Sequence, residues 1–245
     1  PEGPSRDTLM ITQSVPKSAN LTESTAAFLK SVRSWAYACI ERYGDAEPTD
    51  VHDQGTYMTA WAPYIRATGD ERVLAFLKTQ RDRIQDHFVG SDQWYHGYWR
   101  LQEAHHGTEH FELFLGTLFG LDPTDDVTRA QFLDAAEHIG NWVPGIPRWI
   151  DETSGLFRSM YMGTGAVRTE PGMELNIPDH LRYINLCLAA SQMTGAGSEI
   201  DRYSHLAAAY GGLWADALVA EEHLPIGLLP NSQGPVYAFD GGVAE

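Results

Sequence analysis

The chain has 245 residues, 17 of them basic and 33 acidic, for a formal charge of -16. That balance argues against a nucleic-acid partner, which needs a basic stripe, and obliges any anionic substrate to find a local cationic pocket or a bound metal. No run is long and apolar enough to span a membrane, and the length suits one large domain or two small ones.

Residues 1–20 are polar and rich in Pro and Ser and read as an arm. A single helical-hairpin domain is expected over 21–245. Its first helix runs to Tyr43, with Phe28, Val32, Trp35, Ala36, Cys39 and Ile40 on one face, and Gly44 stops it. A second helical run spans 54–67, with Pro63 as a kink or the true start. Thr68-Gly69-Asp70 stops it and restarts a third over 71–87. Residues 89–102, VGSDQWYHGYWRLQ, are aromatic, punctuated by Gly and too irregular for a helix. The segment 103–120, EAHHGTEHFELFLGTLFG, reads as one helix, and another follows to about His138. Residues 149–164 read as two short strands around Ser154-Gly155. A Gly/Pro loop leads to helices over 179–193 and 200–222, and loop resumes from Gly227. Cys39 and Cys187 lie in apolar helical runs and read as buried free thiols, with a disulfide between them as the alternative. The chain opens PEGPSRDTLM and stops within the loop AFDGGVAE, so either a processed segment has gone or the chain is part of a longer one.

An internal pattern recurs. Helices end at Gly69, Gly120 and Gly195, each followed by a polar turn and a second helix with an apolar stripe. A polar segment precedes each first helix: His52-Asp53, His105-His106 and Asp179-His180. The fold expected is therefore all-α, an α/α toroid-type arc of helical hairpins with a small β-hairpin insertion. Inner helices would point their starts at a shared cleft. Missing sequence or a second chain would complete the ring. A plain helical bundle or solenoid is the competing architecture.

The densest chemistry lies at 103–110, where three histidines and two acids precede an apolar stripe. On a regular helix His106 and His110 sit one turn apart, with Glu109 beside them. His106, Glu109 and His110 are thus candidate metal ligands, suited to Zn or Mn, with His105, His52 or His180 as a fourth. They also match H-x-x-E-H, the zinc-peptidase pattern with Glu as base, although the α/β strands of those enzymes are not visible. Alternatively the histidines only hydrogen-bond within a polar cleft. Trp94, Tyr98 and Trp99 suit the faces of sugar rings as well as core packing, and Arg100 suits a carboxylate. Arg158, Tyr161, Asn176, His180 and Arg182 form a third group at the β insertion and the next helix start. The bland reading makes Asp179 an N-cap and Arg182 a surface ion pair.

QEAHHGTEHFELFL, PGIPRWIDETSGLFRSMYMGT and PDHLRYINLCLAASQMTG, together spanning about residues 102–195, resemble the helical-toroid polysaccharide lyases and their bacterial relatives. The resemblance implies β-elimination on a uronate-containing polysaccharide or oligosaccharide by a secreted or periplasmic enzyme. It implies His106, Glu109 and His110 as holders of a divalent metal (Zn, Mn or Ca) or as carboxylate neutralisers. Tyr161 or Arg182 would be the base, with His106 in the catalytic set. The substrate would meet Trp94, Tyr98, Trp99, Arg100, Arg158, Asn176 and His180. The sequence departs from the metal-dependent branch in lacking an adjacent Arg-His pair. Two further expectations compete: a glycoside hydrolase using two of Asp53, Glu103 and Asp179, and a carbohydrate-binding module that keeps the aromatic loop without turnover.

Overall fold

The computed structural model describes residues 18–51, 55, 59–99, 102–139, 148–151, 153–162, 167–168, 173, 175–194 and 198–220, with the backbone alone at 18–21, 162, 198–201 and 220. His52, Asp53, Arg100, the arm before residue 18 and the segment from 221 onward lie outside the described residues. The described chain is mostly helical, with two small antiparallel strand pairs.

Helix α1 (Ser18–Tyr43) is followed by α2 (Ala62–Thr68), with Pro63 in its first turn, where the missing proline N–H costs nothing. Gly69 closes α2 in the left-handed conformation at φ 66°, where a side chain would be strained. Asp70 then caps α3 (Glu71–Gly90), its carboxylate accepting from the Val73 N–H at 3.2 Å. It also accepts from the Tyr64 hydroxyl at 2.5 Å and from the Tyr37 hydroxyl. Burial works to raise the Asp70 pKa, but these donors outweigh it and hold the carboxyl below its ordinary value. One cap thereby ties α1, α2 and α3 together.

The aromatic segment is not irregular loop. It forms a hairpin, β1 (Trp94–Tyr95) against β2 (Tyr98–Trp99), with Trp94 opposite Trp99. His96 at φ 52° and Gly97 at φ 92° supply the two left-handed residues of a tight turn. Strand β3 (Gln102–Glu103) pairs with β4 (Tyr161–Met162), setting Glu103 opposite Tyr161. The two-strand expectation around Ser154-Gly155 survives as a bridge between Ile150 and Phe157. β4 itself pairs with a strand some sixty residues upstream.

The segment 103–120 is helical, but not uniformly so. It consists of α4 (Ala104–Glu109), a π-helical turn (His110–Leu115) and α5 (Gly116–Leu121). This helix divides the interior. Phe111 and Leu115 join a core with Tyr98, Phe132, Trp149, Tyr183 and Leu186. Phe114 and Leu118 join another with Trp61, Tyr64, Val73, Leu77, Ile84 and Phe88. Burying side chains of this size stabilises by about 1.5–3 kcal/mol each, which fixes the helix between its two neighbours.

Helix α6 (Asp126–His138) is capped by Asp125, whose carboxylate accepts from the Thr128 N–H at 2.9 Å. A 3-10 turn (Pro178–Leu181) leads into α7 (Arg182–Thr194), which packs as a hairpin with α8 (Ser198–Ala220). Cys39 and Cys187 are both free thiols. Burial pushes the Cys187 thiol up to about 12, against a smaller opposing pull from Arg202. No helix among the described residues is long and apolar enough to cross a membrane.

Candidate functional site

Three segments far apart in sequence meet at the start of α4. The first is the helix start itself. The Glu103 carboxylate accepts from the His106 N–H at 2.9 Å and lies 2.6 Å from His106 Nδ1. A carboxylate here complements the partial positive charge of the helix N-terminus. The second segment is β4, which sets Tyr161 beside Glu103, with the Arg168 guanidinium 4.4 Å above the Tyr161 ring. The third is the 3-10 turn and the first turn of α7. Asp179 lies 3.0 Å from His105 Nδ1, and Arg182 reaches across to the same helix.

Arg182 is engaged on every side. Its Nε is 3.1 Å from Glu112, its Nη1 3.6 Å from Glu109 and its Nη2 3.3 Å from Asp179. It also donates to the His105 carbonyl at 3.0 Å. Asn185 donates to Glu112 at 3.2 Å. These groups are only partly buried, so the network is a charged patch and not a sealed ion pair. Beyond Glu112 and Asn185 lies a cavity of about 360 Å³, whose wall also includes Arg66, Thr117, Phe119 and Phe132. That size falls at the lower end of ordinary small-ligand pockets.

The proposed metal ligands do not converge. His106 turns to Glu103, and Glu109 turns to Arg182 and His105. His110 is buried against Trp94 and Phe114, with ring centroids 4.9 and 5.6 Å away. Among the described residues the three bring no common set of donor atoms together. The cause is local: His106 is held by the capping carboxylate Glu103 on the half-exposed side, whereas His110 is packed into the interior between Trp94 and Phe114. Neither His110 ring nitrogen has a well-formed hydrogen bond. Burial pushes its pKa down to about 3, although the nearby Val51 carbonyl favours the proton slightly.

Several expected substrate contacts belong to the interior instead. Tyr98 is fully buried and donates to the Ala135 carbonyl at 2.5 Å. Asn176 is buried and accepts from the Phe157 N–H at 3.0 Å while donating to the Phe157 carbonyl at 2.8 Å. It thereby supplies the backbone pairing that a neighbouring strand would otherwise provide. His180 is fully buried, its Nδ1 accepting from the Ile177 N–H at 3.1 Å and its Nε2 facing the Ser159 carbonyl at 3.3 Å. Burial pushes its pKa down to about 4, partly offset by the Ser159 and Ile177 carbonyls. Tyr98 thus ties the first hairpin to α6, while Asn176 and His180 hold the 157–159 segment against the approach to α7.

Trp94 and Trp99 are half-buried, the Trp99 indole donating to Gln93 at 3.3 Å. Arg158 is largely exposed and 3.8 Å from Asp151. The sequence offers His105 only as a possible fourth metal ligand, whereas here it pairs with Asp179 and Arg182. Glu112, Asn185 and Arg168 are members of the cluster that the sequence reading did not single out. Arg168 and Asn185 join only through pairings that sequence spacing does not carry.

No family model, no curated protein and no solved structure matches this chain.

Proposed function

We propose that the chain is a polysaccharide lyase of the α/α toroid type, acting on a uronate-containing polymer by β-elimination. The observation that carries the proposal is the pairing of the Tyr161 strand, with the Arg168 guanidinium over the Tyr161 ring, against the helix start that carries Glu103, His105 and His106, two segments far apart in sequence. Elimination needs a base for the proton alpha to the uronate carboxylate and a cation to stabilise the charge that develops. Tyr161 is the base in this reading and Arg168 the neutraliser. His106 supplies the proton taken up by the leaving oxygen. The electron pair of the broken C–H bond becomes the new double bond. Arg182 is a positioning residue, because its guanidinium is spent on Glu109, Glu112 and Asp179. The toroid arc is supported by the α7–α8 hairpin and by Phe28 and Trp35, which α1 exposes as an open edge would.

A second reading, a glycoside hydrolase, is favoured by the carboxylates Glu109, Glu112 and Asp179 grouped around one cation. One assay separates the two. The folded protein is offered pectic, alginate, ulvan and glycosaminoglycan substrates while ultraviolet absorbance and reducing ends are followed. New absorbance from an unsaturated uronate supports the lyase. Reducing ends without that absorbance support the hydrolase. Neither signal on any substrate rejects both.

A further inference from the structure

We propose that His96, Asp134 and His138 form a zinc-binding site separate from the cluster at α4. The three residues come from two elements. His96 sits at the turn of the β1–β2 hairpin, whereas Asp134 and His138 lie one turn apart on α6 and project from the same face. One nitrogen from each imidazole and one carboxylate oxygen all lie within 4.8 Å of one another. Two imidazoles and a carboxylate are a donor set that zinc takes readily, with a fourth position left for water.

The surrounding geometry favours a metal over a chance cluster. His138 Nδ1 donates to the Asp134 backbone carbonyl at 2.8 Å, which fixes the tautomer and leaves Nε2 with its lone pair. Metal-bound histidines are commonly oriented by such a bond. His96 Nδ1 lies 3.0 and 3.1 Å from the two oxygens of Asp134, so a cation can replace the proton those groups now share. The two rings stack with centroids 3.3 Å apart and planes 4° apart. Parallel rings must splay for both nitrogens to point at one ion. His96 has room to do so, since its side chain is 36% exposed, while His138 is nearly buried at 8% and acts as the fixed ligand.

The bound ion would clamp the hairpin to α6, and the test uses that property. The metal-free full chain is titrated calorimetrically with zinc, in two buffers of different ionisation enthalpy, and separately with cobalt(II) as a visible-absorption probe. Expected are about one ion per chain, proton release on binding, cobalt d–d bands of a four-coordinate nitrogen/oxygen site, and a higher melting temperature with zinc. His96→Asn removes the imidazole but keeps a residue tolerant of positive φ, so the turn is retained. It and Asp134→Asn should each weaken binding by at least about tenfold, and His106→Ala should not. Absence of cobalt bands and of binding heat in the folded wild type overturns the proposal. So does binding that survives His96→Asn, or binding that is lost in His106→Ala instead.

Discussion

Asp179 and His105, 74 residues apart, meet at 3.0 Å between a carboxylate oxygen and Nδ1, and Arg182 bridges the same two residues. This contact locks the start of α7 to the start of α4. Arg182→Ala leaves Glu109, Glu112 and Asp179 close together without their shared cation. A loss of about 2–4 kcal/mol in urea unfolding is expected, less than for a sealed pair because solvent reaches the patch. Arg182→Lys should recover only part of it, since a point charge cannot serve three carboxylates as a fork does. Equal stability of the alanine variant and the wild type would show that the network carries nothing.

Tyr161→Phe separates chemistry from folding. The ring stays under Arg168 and the strand pairing is backbone, so the melting temperature should hold within a degree or two. Turnover on a uronate substrate should fall by about two to four orders of magnitude. Undiminished turnover in this variant removes Tyr161 as the base.

Two buried histidines should make the fold lose stability in mild acid. His110 and His180 are neutral in the folded protein, with pKa values near 3 and 4, against 6.5 for an exposed histidine. The unfolded chain therefore binds protons that the native state refuses. Stability is complete above about pH 6.5 and falls as the medium acidifies towards the native values. From about pH 7.5 to about pH 5 the pair should cost about 4 kcal/mol, read by urea titrations at both pH values. His110→Leu should remove about half of that dependence. It should also gain about 1 kcal/mol at neutral pH by eliminating a buried polar ring whose nitrogens make no well-formed hydrogen bond. An unchanged acid slope in His110→Leu would refute the assignment.

A second acid-sensitive step belongs to Asp125. Burial alone would raise its pKa, but Thr128, Lys78 and Arg81 outweigh burial and hold it well below the usual carboxylate range. Arg81 is almost fully buried and reaches both Asp125 and Thr128. This contribution is present above the ordinary carboxylate pKa and is lost as pH falls through the depressed native value. The stability advantage of wild type over Asp125→Asn should therefore persist at mild acidity and shrink only in strong acid. Arg81→Ala should destabilise by about 3–5 kcal/mol at neutral pH, because the Asp125 carboxylate then loses its buried partner. Circular dichroism melts of the three proteins across pH check both statements.

Caps, stops and stripes were readable because they are local. Asp70, Gly69 and the apolar face of α3 are set within a few residues of chain, whereas the stripe expected on α1 holds at Val32, Ala36, Cys39 and Ile40 but not at Phe28 and Trp35, which are exposed. The importance of 103–110 was visible in its composition, but the partners of its side chains were not. A helical wheel assumes a constant turn angle, and the π turn breaks that assumption from His110 onward, while the partners of His105, His106 and Glu109 are set by contacts with Glu103, Asp179 and Arg182. Tyr98, Asn176 and His180 carry polar atoms typical of binding sites, yet each spends them on nearby backbone that would otherwise be unsatisfied. Which polar side chains serve backbone and which face a ligand depends on pairings between distant segments, such as Phe157 with Asn176, that no spacing rule records.

The π turn at His110–Leu115 has an implication for how the molecule tolerates change. Such a turn amounts to one residue more than a regular helix needs, and each residue of an α-helix advances by about 100°. Deleting a single residue there would let the helix relax into uniform winding while swinging one half about the axis relative to the other. Phe114 and Leu118 could then stay seated only if His105 and Glu109 swung away from Arg182. Insertions and deletions in this segment are thus gear changes between the interior and the patch. The length of the stretch between Glu109 and Gly116 is constrained more tightly than the identity of its residues.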